Sequence, residues 1–64
     1  MKEIFERVLD EIIEEFNAKW WNVIDEDLRE ELLNRIANEL NITVEQLKEL
    51  PDFVEWENKY YEEL

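Results

Sequence analysis

The sequence predicts an all-α fold, a small four-helix domain with a long first helix, a second helix, a short third helix and a C-terminal helix. Apolar residues recur at three- and four-residue steps along most of the chain, the mark of helices with one buried face. Start and stop signals divide that pattern into four segments. Strand-like alternation of apolar and polar residues is absent.

The first segment places Ile4, Phe5, Val8, Leu9, Ile12, Ile13, Phe16 and Trp20 on one wide stripe. Lys2, Glu3, Glu6, Arg7, Asp10, Glu11, Glu14 and Glu15 occupy the other side. The spacing predicts a helix from about Lys2 to Trp21, with Asn22-Val23-Ile24 as a connector. Asp25 is the expected N-cap of the second helix, because its carboxylate can accept the orphan amides of a first turn. Glu26 and Asp27 suit the positive end of that helix dipole. Leu28, Leu32, Leu33, Ile36, Ala37 and Leu40 carry the period to about Leu40. Asn41 then stands where a left-handed residue would end the helix. Thr43, with Gln46 three residues on, forms a capping box for the third helix, whose Val44, Leu47 and Leu50 face inward. Pro51 ends that helix, since the residue before a proline is driven from helical geometry. Asp52 is the expected cap of the last helix. There Phe53, Trp56, Tyr60 and Leu64 make one stripe, and Val54 and Tyr61 another.

Sixty-four residues make one domain, residues 1–64. A chain this short buries only roughly 60% of the surface its unfolded form exposes. It has no Cys for a disulfide and no His or Cys for a zinc site, so packing alone must hold it. An apolar share of 45%, with three Trp and three Phe, is enough to expect a folded core and not disorder. The acidic, amphipathic start from Met1 to Phe16 is unlike a signal or transit peptide, and no apolar run reaches membrane-spanning length. A cytoplasmic protein is the expectation.

Charge excludes more than it selects. Nineteen Asp and Glu against seven Lys and Arg give a net charge of -12, which repels nucleic acid and anionic membranes. Glu3–Arg7, Glu15–Lys19, Glu31–Arg35 and Glu55–Lys59 are each spaced for a favourable one-turn ion pair. Those pairs use four of the cations and leave a large surplus of acid. Thr43 has no histidine to activate it, so it reads as a helix cap and no catalytic residue is assigned. The Asp25-Glu26-Asp27 run fails as a calcium loop, because its sixth and twelfth positions are Glu30 and Ile36 instead of Gly and Glu. Di-iron bundles need histidine beside their glutamates. No metal or cofactor is expected.

Ile36-Ala37-Asn38-Glu39-Leu40-Asn41-Ile42-Thr43-Val44-Glu45-Gln46-Leu47-Lys48-Glu49-Leu50 resembles the helix-turn-helix unit of many regulators. Small Ala37 matches where two helices cross, as do Ile36, Leu40, Ile42, Leu47 and Leu50 at the apolar positions. Asn41 departs from the family's usual Gly. The resemblance implies a tri-helical core and a second helix in a DNA major groove. That helix would offer Glu45, Gln46, Lys48 and Glu49, of which Lys48 is the only cation. With a charge of -12 behind it, the expected use of the motif here is architectural, not DNA binding.

The functional expectation is a non-catalytic module that binds a basic protein surface. Asp10, Glu11, Glu14 and Glu15 would attract the partner, and in the extreme would stand in for phosphates as a nucleic-acid mimic. Trp21, Val54 and Tyr61, left over by the main stripes, would anchor it. Trp21 lies about 100° around the helix from Trp20, so the two indoles cannot share one direction. Two other readings fit the same sequence. The consistency of caps and charge pairs suits a designed helical miniprotein with no native activity, and the wide first stripe suits a homodimer.

Overall fold

The computed structural model describes residues 2–19 and 26–62, the side chains of Glu26 and Tyr61 excepted. The order of elements is α1 (Lys2–Glu15), α2 (Glu26–Leu40), α3 (Val44–Glu49) and α4 (Pro51–Glu62). Helix α1 packs on α2 and α4, α2 on α3, and α3 on α4. No strand occurs among the described residues. The expected four-helix, all-α architecture is therefore present.

Helix α1 stops sooner than its apolar period suggests. Asn17 takes a φ of 50°, the Asn17 amide donates to the Glu14 carbonyl at 3.3 Å, and the Ala18 amide donates to the Ile13 carbonyl at 2.9 Å. This pair of bonds is a Schellman closure, which satisfies carbonyls the ending helix would leave orphaned. Electrostatics agree, because Glu14 and Glu15 occupy the negative end of the dipole and the last turn contains no basic residue. The expected continuation to Trp21 is thus corrected to an end at Glu15. One consequence is that Phe16 leaves the buried stripe and is 48% exposed. Trp20, Asp25 as a cap, and Leu64 lie outside the described residues.

Helix α2 ends the same way. Asn41 has a φ of 58°, its amide donates to Asn38 at 3.2 Å, and the Ile42 amide donates to Ala37 at 2.9 Å. Three residues connect it to α3. The Thr43 hydroxyl accepts from the Gln46 amide at 3.1 Å, and the Gln46 side chain accepts from the Thr43 amide at 2.9 Å, completing the expected capping box. Between α3 and α4 a single residue suffices. The Leu50 amide donates to Leu47 at 3.0 Å while its carbonyl accepts from Val54 at 3.0 Å, so Leu50 closes one helix and opens the next. Its extended backbone (φ -68°, ψ 119°) is what a residue before proline prefers. Pro51 then occupies the first helical position, where its missing N–H costs nothing. Asp52, expected as the cap, stands instead inside the first turn, where its charge still favours the dipole.

Phe5, Val8, Leu9 and Ile12 of α1 meet Leu32, Leu33, Ile36 and Ala37 of α2, Leu47 of α3, and Phe53 and Trp56 of α4 in one core. Its aromatic centre is tightly arranged. The Phe5 ring lies edge-on to Phe53 at 5.3 Å and tilted against Trp56 at 5.4 Å. Such contacts add about 0.5–1.5 kcal/mol per pair beyond the area they bury. Ile4, Ile13, Leu28, Leu40, Ile42, Val44, Leu50 and Tyr60 pack around this centre half-buried. No polar side chain is buried among the described residues, so apolar packing carries the fold.

Candidate functional site

The three arginines of the sequence all reach across to another helix. Arg7 of α1 meets Glu39 of α2 at 3.0 Å and also Glu11 at 3.2 Å. Arg35 of α2 grips both carboxylate oxygens of Glu15 of α1, at 2.8 and 2.9 Å, and holds Glu31 at 2.9 Å. Arg29 of α2 binds Glu57 of α4 through two bonds. The planar guanidinium suits such forked pairing, which a lysine cannot reproduce.

Of the one-turn pairs expected from spacing, Glu31–Arg35 forms at 2.9 Å and Glu55–Lys59 approaches 3.9 Å. Glu15 turns to Arg35 across the helix interface, and Arg7 turns to Glu11 and Glu39. The Arg35 guanidinium also lies 5.9 Å from the Phe16 ring centroid, a cation–π contact that tethers the displaced phenyl ring. Hydrogen bonding from Arg35 holds the Glu15 carboxyl below its ordinary pKa, against a smaller opposing effect of desolvation. The Arg35 pKa rises in return, first through Glu15 and then through Glu31. Arg7 rises chiefly through its hydrogen bond to Glu39.

Once these pairs are formed, five of the six acids of α1 fall into two groups. Glu11 and Glu15 are held by arginines. Glu6, Asp10 and Glu14 are exposed and have no ion-pair partner among the described residues. They stand four residues apart, which puts them on one side of the helix at a rise of about 6 Å per step. Like charges at this spacing weaken a helix by a few tenths of a kcal/mol each.

Beside this ladder a cleft of about 510 Å³ opens between α1 and α4. Lys2, Glu6, Leu9 and Asp10 line it from α1, and Trp56, Lys59 and Tyr60 from α4. The Trp56 and Tyr60 rings stack at 5.9 Å with 15° between their planes. A neighbouring hollow of about 290 Å³ shares Lys2, Trp56 and Lys59 and adds Phe5, Asp52 and Glu55. Trp56 is only 8% exposed, so it presents little surface to either hollow.

Of the residues expected to bind a partner, Asp10 and Glu14 are open and Asp10 lines the cleft, whereas Glu11 and Glu15 are engaged within the fold. Val54 of α4 is 40% exposed. Trp21 and the Tyr61 side chain lie outside the described residues. Glu6, Trp56, Tyr60 and the two lysines of the cleft escaped the sequence reading. Glu6 was reachable, being one four-residue step before Asp10. Trp56 and Tyr60 read as core from their stripe, and a rim shared between core and cleft leaves no periodic trace. On α3, Glu45, Gln46, Lys48 and Glu49 are all exposed. Among the described residues no group of three acidic, His or Cys side chains is placed to hold a metal, and no helix is long and apolar enough to cross a membrane. No protein-family model matches this chain, and neither curated proteins nor solved structures gave a match.

Proposed function

We propose that this chain is a non-catalytic interaction module that binds a basic protein surface through the acidic side of α1. The observation that carries the reading is the Glu6–Asp10–Glu14 ladder. All three arginines are spent on joining helices, and they leave this row of carboxylates uncompensated at a small cost to the helix itself. A net charge of -12 extends the attraction beyond the contact surface and accelerates encounter with a cationic partner. The same field repels polyanions, so nucleic acid and anionic membranes are not the expected partners. A protein that ordinarily binds nucleic acid is a natural target, because a spaced row of carboxylates presents the charge pattern it meets on phosphates.

Titration calorimetry with a twelve-residue peptide alternating Arg and Ala tests this. Binding should be clear at 20 mM salt and weaken steeply by 300 mM, as the Debye length contracts. Replacing the ladder (Glu6→Gln, Asp10→Asn, Glu14→Gln) should weaken it more than an equal charge change at Glu45, Glu49 and Glu62. Binding insensitive to salt, or equally sensitive to both triple variants, would exclude the assignment to α1.

A further inference from the structure

We infer that Arg35 of α2 is a strap across the C-terminal end of α1, and that this end opens locally while the core stays packed. The device belongs to the free chain and does not depend on what the chain binds. By itself the end of α1 is poorly suited to its position. Glu14 and Glu15 lie at the negative end of the helix dipole, and the last turn contains no basic residue to offset them. The missing positive charge arrives from the neighbouring helix. Arg35 places Nη1 and Nη2 on the two carboxylate oxygens of Glu15, at 2.8 and 2.9 Å, and its guanidinium carbon lies 5.9 Å from the Phe16 ring centroid. Its Nε donates to Glu31, one turn earlier on α2, at 2.9 Å, which holds the fork in that orientation. One cation thus reaches the last residue of α1, the residue that follows it and its own helix.

The core does not extend to the strap. Ile12 is the last buried residue of α1. Beyond it Ile13 and Ala18 are half-buried, and Glu14, Glu15, Phe16 and Asn17 are exposed. Releasing the strap and the turn behind it therefore leaves every buried residue of α1 in place. The end of α2 supplies a contrast within the same molecule. It closes on the same left-handed asparagine, Asn41, but Ile42 packs against the core and Thr43 at once begins the capping box of α3. That turn is fastened by packing and by a cap, whereas the turn at Asn17 follows residues gripped from the surface by Arg35. Segments with few buried contacts open at a lower free energy than the whole domain.

Amide hydrogen exchange followed by NMR on the full chain tests this, with the Asn41 and Ile42 amides as internal reference. Arg35→Gln should speed exchange of the Asn17 and Ala18 amides about fivefold, as expected of a forked pair at the surface. It should change the Asn41 and Ile42 amides less than about twofold, and the Phe16 ring signals should move toward those of an unstructured chain. Arg35→Lys should fall between this variant and the parent, because an ammonium lacks the fork. Glu15→Gln, at an exposed position, gives the test a sign. With the strap idle, it would slow exchange, since it removes a negative charge from the negative end of the dipole. With the strap at work, it should speed exchange at Asn17 and Ala18 about twofold to threefold. Slower or unchanged exchange there in Glu15→Gln would overturn the strap. So would equal acceleration at both asparagine turns in Arg35→Gln, the mark of a loosened domain and not of a local opening.

Discussion

Arg29 of α2 and Glu57 of α4, separated by 28 positions in sequence, are joined by two hydrogen bonds, Nε to Oε2 at 3.2 Å and Nη2 to Oε1 at 3.0 Å. The Glu57 side chain retains only 14% exposure, against 34% for Arg29. A carboxylate so covered depends on its partner more than the open acids of α1 do. Arg29→Ala should therefore destabilise the fold by about 1–2 kcal/mol, the cost of leaving a part-buried charge unpaired after discounting for residual solvent. Urea melts of Arg29→Ala, Glu57→Gln and the double variant measure the coupling. A double variant as unstable as the two single losses added together would show that the pair contributes nothing as a pair.

Asn17 and Asn41 are the described residues with positive φ, and each closes a helix. Asn41→Ala should cost about 1 kcal/mol, because a β-carbon is poorly tolerated in left-handed geometry and alanine lacks the local hydrogen bonding of Asn. Asn41→Gly should remain within about 0.5 kcal/mol of the parent, as its ease in that geometry is offset by a more flexible unfolded chain. The same ordering should hold at Asn17. Thermal melts followed by circular dichroism check it, and alanine equal to glycine at both sites would refute the role of these turns.

Phe5 makes the severest test of the core. It is fully buried and touches both Phe53 and Trp56. Phe5→Ala should cost about 3–5 kcal/mol, while a domain of this size has only about 3–10 kcal/mol in total. The variant should lose its cooperative melt or retain it only in cold buffer. Phe5→Leu, which keeps most of the volume, should fold with a lowered midpoint.

Glu15 gives the fold a pH-sensitive contact. Its pKa in the folded chain lies below the ordinary 4.5 because Arg35 hydrogen-bonds the charged form. A group depressed in this way contributes stability above its unfolded pKa and loses it as pH falls through the folded value. The stability gap between the parent and Glu15→Gln should be constant near neutrality, shrink below about pH 4.5, and close once Glu15 is protonated in the fold. Urea melts at a series of pH values provide the comparison. A gap that persists unchanged into strong acid would mean the carboxylate charge is irrelevant there.

Local chemistry was the legible part. The capping box at Thr43 and Gln46, the stop at Asn41 and the break before Pro51 are each written within four or five residues, because capping partners lie one turn apart. The inward faces of α2 and α4 follow from period alone. Asn17 shows where that method fails. The stripe from Ile4 to Phe16 and Trp20 continues smoothly through it, and hydrophobic spacing says nothing about whether a backbone turns left-handed. The Phe16-Asn17-Ala18 step does parallel Leu40-Asn41-Ile42, so the stop was visible to a reader weighing turn residues as heavily as period.

Charge pairing was legible only in part. Glu31–Arg35 obeyed the one-turn rule, while Glu15 and Arg7 found partners on α2. A forked, cross-helix pair outcompetes a one-turn pair on an exposed helix, which is worth only about 0.2–0.5 kcal/mol. Sequence spacing cannot rank the two, since the competitor exists only after α1 and α2 have docked.

The sequence by itself determined the helical class, the number of segments, most of their inward faces, the turns at Asn41, Thr43 and Pro51, and the excess of negative charge. These depend on interactions that repeat every turn or act over a few bonds. Tertiary structure alone decided which carboxylates the arginines neutralise, that Glu6, Asp10 and Glu14 remain open, and that Trp56 and Tyr60 wall a cleft beside them. Each of those outcomes requires two helices to be placed against each other, and that placement is set by packing a shared core, a property of all the helices together and of none alone.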